Sequence, residues 1–115
     1  MSHRAAALIV RHGHALLLRR VKNGEEYYVI PGGGIEEGET PEEAAIREVK
    51  EEVSLDVKLH KYLFRTEYSG REGHHFLALK FNGEPILGGE ELEQMTDADQ
   101  TYITWMPLLD LPWLE

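Results

Sequence analysis

Three glutamates, Glu48, Glu51 and Glu52, stand at i, i+3 and i+4 in the run Arg47-Glu48-Val49-Lys50-Glu51-Glu52. On a helix that spacing places them on one face. Like charges so placed repel, weakening the helix by roughly a few tenths of a kcal/mol per pair, and a cation seated among them removes the cost. Their hard oxygens suit Mg²⁺, Mn²⁺ or Ca²⁺ rather than zinc. A glutamate run is more often a solvated face, and the interleaved Arg47 and Lys50 would fit a salt-bridged surface equally well. Its company favours chemistry. Pro31-Gly32-Gly33-Gly34 lies upstream and Glu39 lies between. Glycines allow close backbone approach and φ > 0 in front of an ion. Metal held by carboxylates against phosphate, lowering the pKa of a bound water, is a route to attack on a phosphoanhydride.

These groups need a helix and a sheet to hold them. Thr40-Pro41-Glu42-Glu43 reads as a capping box with proline at the first helical position, so a helix over 41–53 is expected. Ala45, Ile46, Val49 and Val53 fall on one stripe that would pack on a sheet. Before it, residues 5–10 and 15–20 are apolar runs separated by Arg11-His12-Gly13-His14, a hairpin pattern. Asn23-Gly24 marks another turn. Tyr27–Ile30 reads as a strand stopped by Pro31. After the helix, 57–68 and 74–81 read as partner strands around a loop at 69–73. Residues 88–99 read as polar and irregular with one helical turn, and 102–106 as a last strand. Leu108–Glu115 reads as the approach to a further element. Strands, helix, then strands is an α+β order.

Composition narrows the class. The 115 residues make one domain, 1–115, with no cysteine, which removes disulfides, thiolate metal sites and cysteine nucleophiles. No apolar run suggests a signal peptide or a membrane span, and a cytoplasmic location is expected. Net charge is -9, with carboxylates concentrated in 36–56 and 84–99. That field suits solubility. It also repels bare polyphosphate, so a phosphate substrate would come with metal. No basic stripe offers a broad nucleic-acid surface.

Residues 33–55 resemble the box of the Nudix (MutT-like) hydrolases: Gly33, Glu39, Arg47-Glu48, Val49, Glu51-Glu52 and Leu55 all match it. Ser54 departs, standing where that family has glycine, and a changed helix C-cap is the expected consequence. The resemblance covers most of the chain. It implies a mixed β-sheet sandwiched between helices, with a loop-helix-loop catalytic motif. It implies Glu48 and Glu52 as main ligands to Mg²⁺ or Mn²⁺, Glu51 as ligand or base, and the Gly32 carbonyl as a further ligand. Arg47 would orient the carboxylates, paired with Glu39, and Gly33 would brace the loop. The reaction would be hydrolysis of a nucleoside diphosphate derivative. An extra acid from a later loop is common in the family, and Glu90, Glu91 and Glu93 are available, with Glu91 preferred.

Substrate contacts are harder to place. Arg19, Arg20, Arg65 and Arg71 are candidate phosphate contacts, Arg65 first. Tyr28 or Tyr27 could stack on a base. The alternative for the tyrosines is alternation, one in the core and one out. His74-His75 read as solvent-exposed more readily than as ligands, and Trp105 reads as core. ADP-ribose members carry a proline past the box, and none lies between Pro41 and Pro85. Diadenosine polyphosphate members carry a tyrosine further on, where Arg71 and Glu72 stand. A (d)NTP is therefore the first expectation. The competing reading is a non-catalytic nucleotide-binding module on the same fold, against which the intact glutamates argue. A calcium-binding acidic surface is the third. The family's closing C-terminal helix is not expected in this chain. The chain is then a short member, a trimmed one, or one whose exposed surface is covered in a homodimer.

Overall fold

The computed structural model describes residues 3–111, the side chain of Glu90 excepted. Strands β1 (Arg4–Arg11) and β2 (His14–Lys22) form a hairpin through His12-Gly13, both at positive φ. Asn23-Gly24 repeats the device between β2 and β3 (Glu25–Val29), again with both residues at positive φ. This backbone matches the twist of the flanking strands, which is why X-Gly pairs serve here. Ser69-Gly70 joins β5 (Asp56–Tyr68) to β6 (Arg71–Asn82) the same way. The loop expected over 69–73 is therefore a two-residue turn, and Arg71–Gly73 belong to the strand.

Gly32–Gly34 form a short strand, β4, paired antiparallel with Arg4–Ala6. None of the three is at positive φ, so the expected left-handed backbone in front of the metal is absent. Close approach is their reason: a Cβ on Gly32 would lie 2.4 Å from the Ala5 carbonyl oxygen, and one on Gly33 would lie 2.4 Å from the Glu48 carboxyl carbon.

The sheet is mixed, in order β3-β2-β1-β6-β5, with β1 and β6 the parallel pair. β4 attaches to β1, and β7 (Asp99–Pro107) attaches to β2. Helix α1 (Pro41–Val53) lies on one face, with the five-residue α2 (Gly89–Glu93) near its C-terminal end. A 3₁₀ turn at Leu108–Asp110 follows β7. This is an α+β architecture.

Alternation along the strands divides the core. Ala7, Ile9, Leu16 and Leu18 meet Val49, Val53, Leu55, Val57 and Ala78 beneath α1. Leu8, Ala15, Leu17 and Leu111 pack on the opposite face. With both faces covered, β1 is an unbroken apolar run, as buried strands are. Ile46, expected in the helix stripe, is 40% exposed, and Ala44 is buried in its place. Small residues at 44 and 45 let α1 approach Ala5 and Phe76, and Ile46 then points past the contact. Trp105 packs at the edge of the main core.

Candidate active site

The N-terminus of α1 is fixed locally. Thr40 Oγ1 accepts from Glu43 N at 3.1 Å, and the Glu43 carboxylate accepts from Thr40 N at 2.9 Å. A satisfied cap of this kind contributes about 1 kcal/mol. The C-terminus is held by the residue that departs from the family pattern. Ser54 adopts a left-handed conformation (φ 62°) with its N–H on the Lys50 carbonyl. Its hydroxyl donates to the Ile86 carbonyl at 2.9 Å. Ile86 N bonds to Val53 O and Gly88 N to Glu52 O, each at 2.9 Å. The end of α1 is thereby tied to the segment that leads into α2 and Glu91.

Glu48, Glu51, Glu52, Glu36 and Glu91 line one cavity of about 450 Å³ together with Gly32–Gly34, Ile35, Arg4 and Arg20. The carboxylates are not equivalent. Glu51 is exposed, while Glu52 is 8% exposed. Glu52 accepts a hydrogen bond from Gly32 N at 2.8 Å. Burial pushes its pKa up to about 7. The Glu48 charge adds to that rise, while the Gly32 N–H, Arg20 and Arg4 oppose it. The Glu48 carboxylate lies against Gly33, in space that any side chain there would take.

Arg47 holds this arrangement from below. Its Nε and Nη2 donate to the two oxygens of Glu39 at 2.8 and 3.0 Å, and Nη1 donates to Glu48 at 2.8 Å. Nη2 also reaches the Gly34 carbonyl at 2.9 Å. A planar fork can grip one carboxylate with two parallel bonds while reaching a second carboxylate and a backbone oxygen, four bonds for which an ammonium has only three donors. Arg47 holds the Glu39 pKa at about 2, helped by the Glu36 N–H. The Arg47 pKa is raised in turn, chiefly by Glu39.

Glu91 comes to the same cavity from a distant part of the chain. Its carboxylate is paired with the Arg20 guanidinium and accepts from Thr101 Oγ1 at 3.1 Å. Glu93 lies on the same short helix and does not line this cavity.

A second cavity, about 350 Å³, is lined by Tyr28, Val29, Ile30, Thr66, Tyr68, Arg71, Glu72, Gly73, His74 and His75, with Arg4 and Ala6. Tyr28 is thus brought to a cavity wall. Tyr27 and Tyr28 are both exposed, not divided between core and solvent. Arg65 is on neither cavity's wall; its guanidinium sits on Glu72 at 2.8 Å and Glu67 at 3.6 Å. Strand alternation points it away from the Thr66 side, a facing that the apolar run around it did not reveal. Burial lowers the His75 pKa, so the ring is held neutral, stacked on Phe64 at 4.6 Å. Arg4, which lines both cavities, has no spacing signal in the sequence and was absent from the expected set.

The site can test a divalent cation by its donors. Glu48, Glu51, Glu52 and Glu91 present only hard oxygens, and the buried Glu52 carboxyl would be eased into its ionised form by positive charge. Among the described residues no three such groups already converge as a metal shell. Each of Glu48, Glu52 and Glu91 is instead held by a protein donor. The donor set fits Mg²⁺ or Mn²⁺ and does not fit zinc.

A domain with this fold and box defines a class, and comparison with known proteins agrees. The NUDIX domain model matches residues 1–115. The chain is 37% identical over 84 residues to an RNA pyrophosphohydrolase of Marinomonas sp. (strain MWYL1), covering 73% of this chain and 51% of that protein. It is 32% identical over 104 residues to a MutT-like protein of Streptomyces ambofaciens, covering 88% of this chain and 60% of that one. The crystal structure of a MutT NUDIX hydrolase from Burkholderia pseudomallei superposes with a TM-score of 0.76 at 25% identity, covering 96% of this chain and 86% of that chain. The chain belongs to the Nudix hydrolase family. It spans about half the length of the curated relatives it matches. No helix among the described residues is long and apolar enough to cross a membrane.

Proposed function

We propose that this domain hydrolyses a phosphoanhydride bond in a nucleotide derivative, using Mg²⁺ or Mn²⁺ held by Glu48, Glu52 and Glu51, with Glu91 as a further acid. One observation carries the reading: four of these carboxylates line a single cavity that adjoins an aromatic-walled one through Arg4. When bound, the cation would supply charge neutralisation at phosphate and a more acidic water. The chain's own groups do the rest. Arg47 and Glu39 keep Glu48 against Gly33. The Gly32 N–H orients Glu52. Glu51, the most exposed of the helix trio, is the group best placed to take a proton from water. The aromatic cavity, with Tyr28 on its wall, would take the nucleoside.

A (d)NTP is the first substrate class to test. Relatives named RNA pyrophosphohydrolase add an RNA to the substrates to test. The experiment is a phosphate- and pyrophosphate-release screen with Mg²⁺ and Mn²⁺ over nucleoside triphosphates, nucleoside diphosphate derivatives and a 5′-triphosphorylated oligoribonucleotide. Glu52→Gln serves as the control. Metal-dependent release that the variant lacks is expected; no release from any substrate overturns the reading.

A further inference from the structure

Arg4 begins β1 and is the one residue on the walls of both cavities described above. Its neighbours across the sheet are glycines on each side, Gly34 of β4 and Gly73 of β6. No cross-strand side chain therefore crowds it, and a Cβ on Gly34 would meet nothing within 4 Å. The other arginines near the site are committed. Arg20 is paired with Glu91, Arg47 with Glu39 and Glu48, and Arg65 with Glu72. Among the described residues, the Arg4 guanidinium has no ion pair or hydrogen bond.

We propose that Arg4 is a substrate-positioning residue that binds the phosphate joining the nucleoside in the aromatic cavity to the diphosphate at the carboxylates. This rests on the hydrolase reading for the identity of the two occupants. The chemistry is that of a planar, permanently charged fork with several donors, which suits phosphate oxygens. Placed between an acidic cavity and an aromatic one, it would draw the anionic junction of a nucleotide to the boundary. A bare nucleoside would gain nothing from it.

That distinction is the test. Guanosine and GMP are titrated by calorimetry into the whole chain in saturating Mg²⁺, with wild type, Arg4→Gln and Arg4→Ala compared. The same samples are assayed for metal-dependent turnover of GTP. The preference for GMP over guanosine should fall roughly tenfold in both variants, as loss of a charge-assisted hydrogen bond implies. Guanosine affinity should stay level, and Arg4→Lys should keep part of the preference. An unchanged preference, a parallel loss for both ligands, or a wild type that binds neither overturns the proposal. An Arg4-dependent preference without turnover overturns the hydrolase reading and leaves Arg4 in place. Should Arg4→Ala fold poorly, Arg4→Gln, which keeps most of the side chain, decides.

Discussion

The acidic cavity and the aromatic cavity share a boundary and little else. Most of the first comes from one contiguous stretch, 32–52, with each carboxylate oriented by a nearby donor: Gly32 N–H for Glu52, Arg47 for Glu48 and Glu39. The second is assembled from β1, the end of β3 with Ile30, and both strands of the β5–β6 hairpin. The first is braced; the second is open at a turn, with Tyr68 largely exposed. On the proposed function this is a division of labour. Chemistry needs groups held within fractions of an ångström, so its residues are braced by short-range bonds. Recognition tolerates a wall built from separate strands. Substitutions in the first cavity should therefore lower kcat, and those in the second should raise KM.

Glu52→Gln should have the largest effect, a loss of roughly 10²–10⁴-fold in kcat with the fold retained. The same variant should be the more heat-stable one without metal. The Glu52 pKa is raised from 4.5 to about 7 in the folded protein. The folded state then holds a proton that the unfolded state has released, so the native carboxylate lowers metal-free stability as pH rises from about 4.5 to about 7. Thermal melts in chelator across that range should show the slope in wild type and not in Glu52→Gln. An identical slope in both would break the assignment.

Arg47→Lys should cost roughly 10–100-fold in activity, since a group orienting a ligand is removed while the charge is kept. If KM rose and kcat held, the division between the cavities would be wrong. The Glu39–Arg47 pair also predicts acid sensitivity of the opposite sign. With the Glu39 pKa lowered to about 2, its contribution is present above about 4.5 and is lost as pH falls toward 2. Acid unfolding followed by circular dichroism should begin at higher pH in Arg47→Ala than in wild type.

Tyr28→Ala should raise KM about fivefold, the equivalent of about 1 kcal/mol of lost stacking, with kcat unchanged. A fall in kcat alone would move Tyr28 out of the recognition wall.

The smallest effect is expected at Ser54. Replacement by glycine removes a left-handed strain of about 1 kcal/mol and a hydroxyl bond to Ile86 of about the same size. The melting temperature of Ser54→Gly should hardly move. Ser54→Ala keeps the strain and loses the bond, and should be destabilised by about 1 kcal/mol. A Ser54→Ala protein that melts with wild type would show that the hydroxyl contributes nothing, and equal melting temperatures for the two variants would show the same of the strain.

Much of this is legible in the sequence. The capping box, Pro41 and the 41–53 helix follow from short-range hydrogen bonding and backbone restriction. So do the turns at Gly13 and Asn23-Gly24, and the common face of Glu48, Glu51 and Glu52. Ile46 lies off the stripe that periodicity assigns it, because periodicity averages over a stripe whereas close packing on Ala5 and Phe76 selects the small Ala44 and Ala45. Gly32–Gly34 lie in a strand because pairing with β1 determined their backbone, which a glycine run cannot announce. Arg65 stands off both cavity walls, and an exposed strand face and a cavity wall look alike in a run of apolar residues.

A helix presenting aligned carboxylates follows from local geometry alone, because neighbours a turn apart keep their spacing whatever surrounds them. Only the tertiary structure made those carboxylates different from one another. It buried Glu52 behind Gly32 and left Glu51 in solvent. It carried Glu91 into the cavity through the bonds at Val53 and Ser54, and laid Arg4 between the two cavities. Burial and long-range juxtaposition depend on which surfaces pack, and no spacing along one strand or helix encodes that.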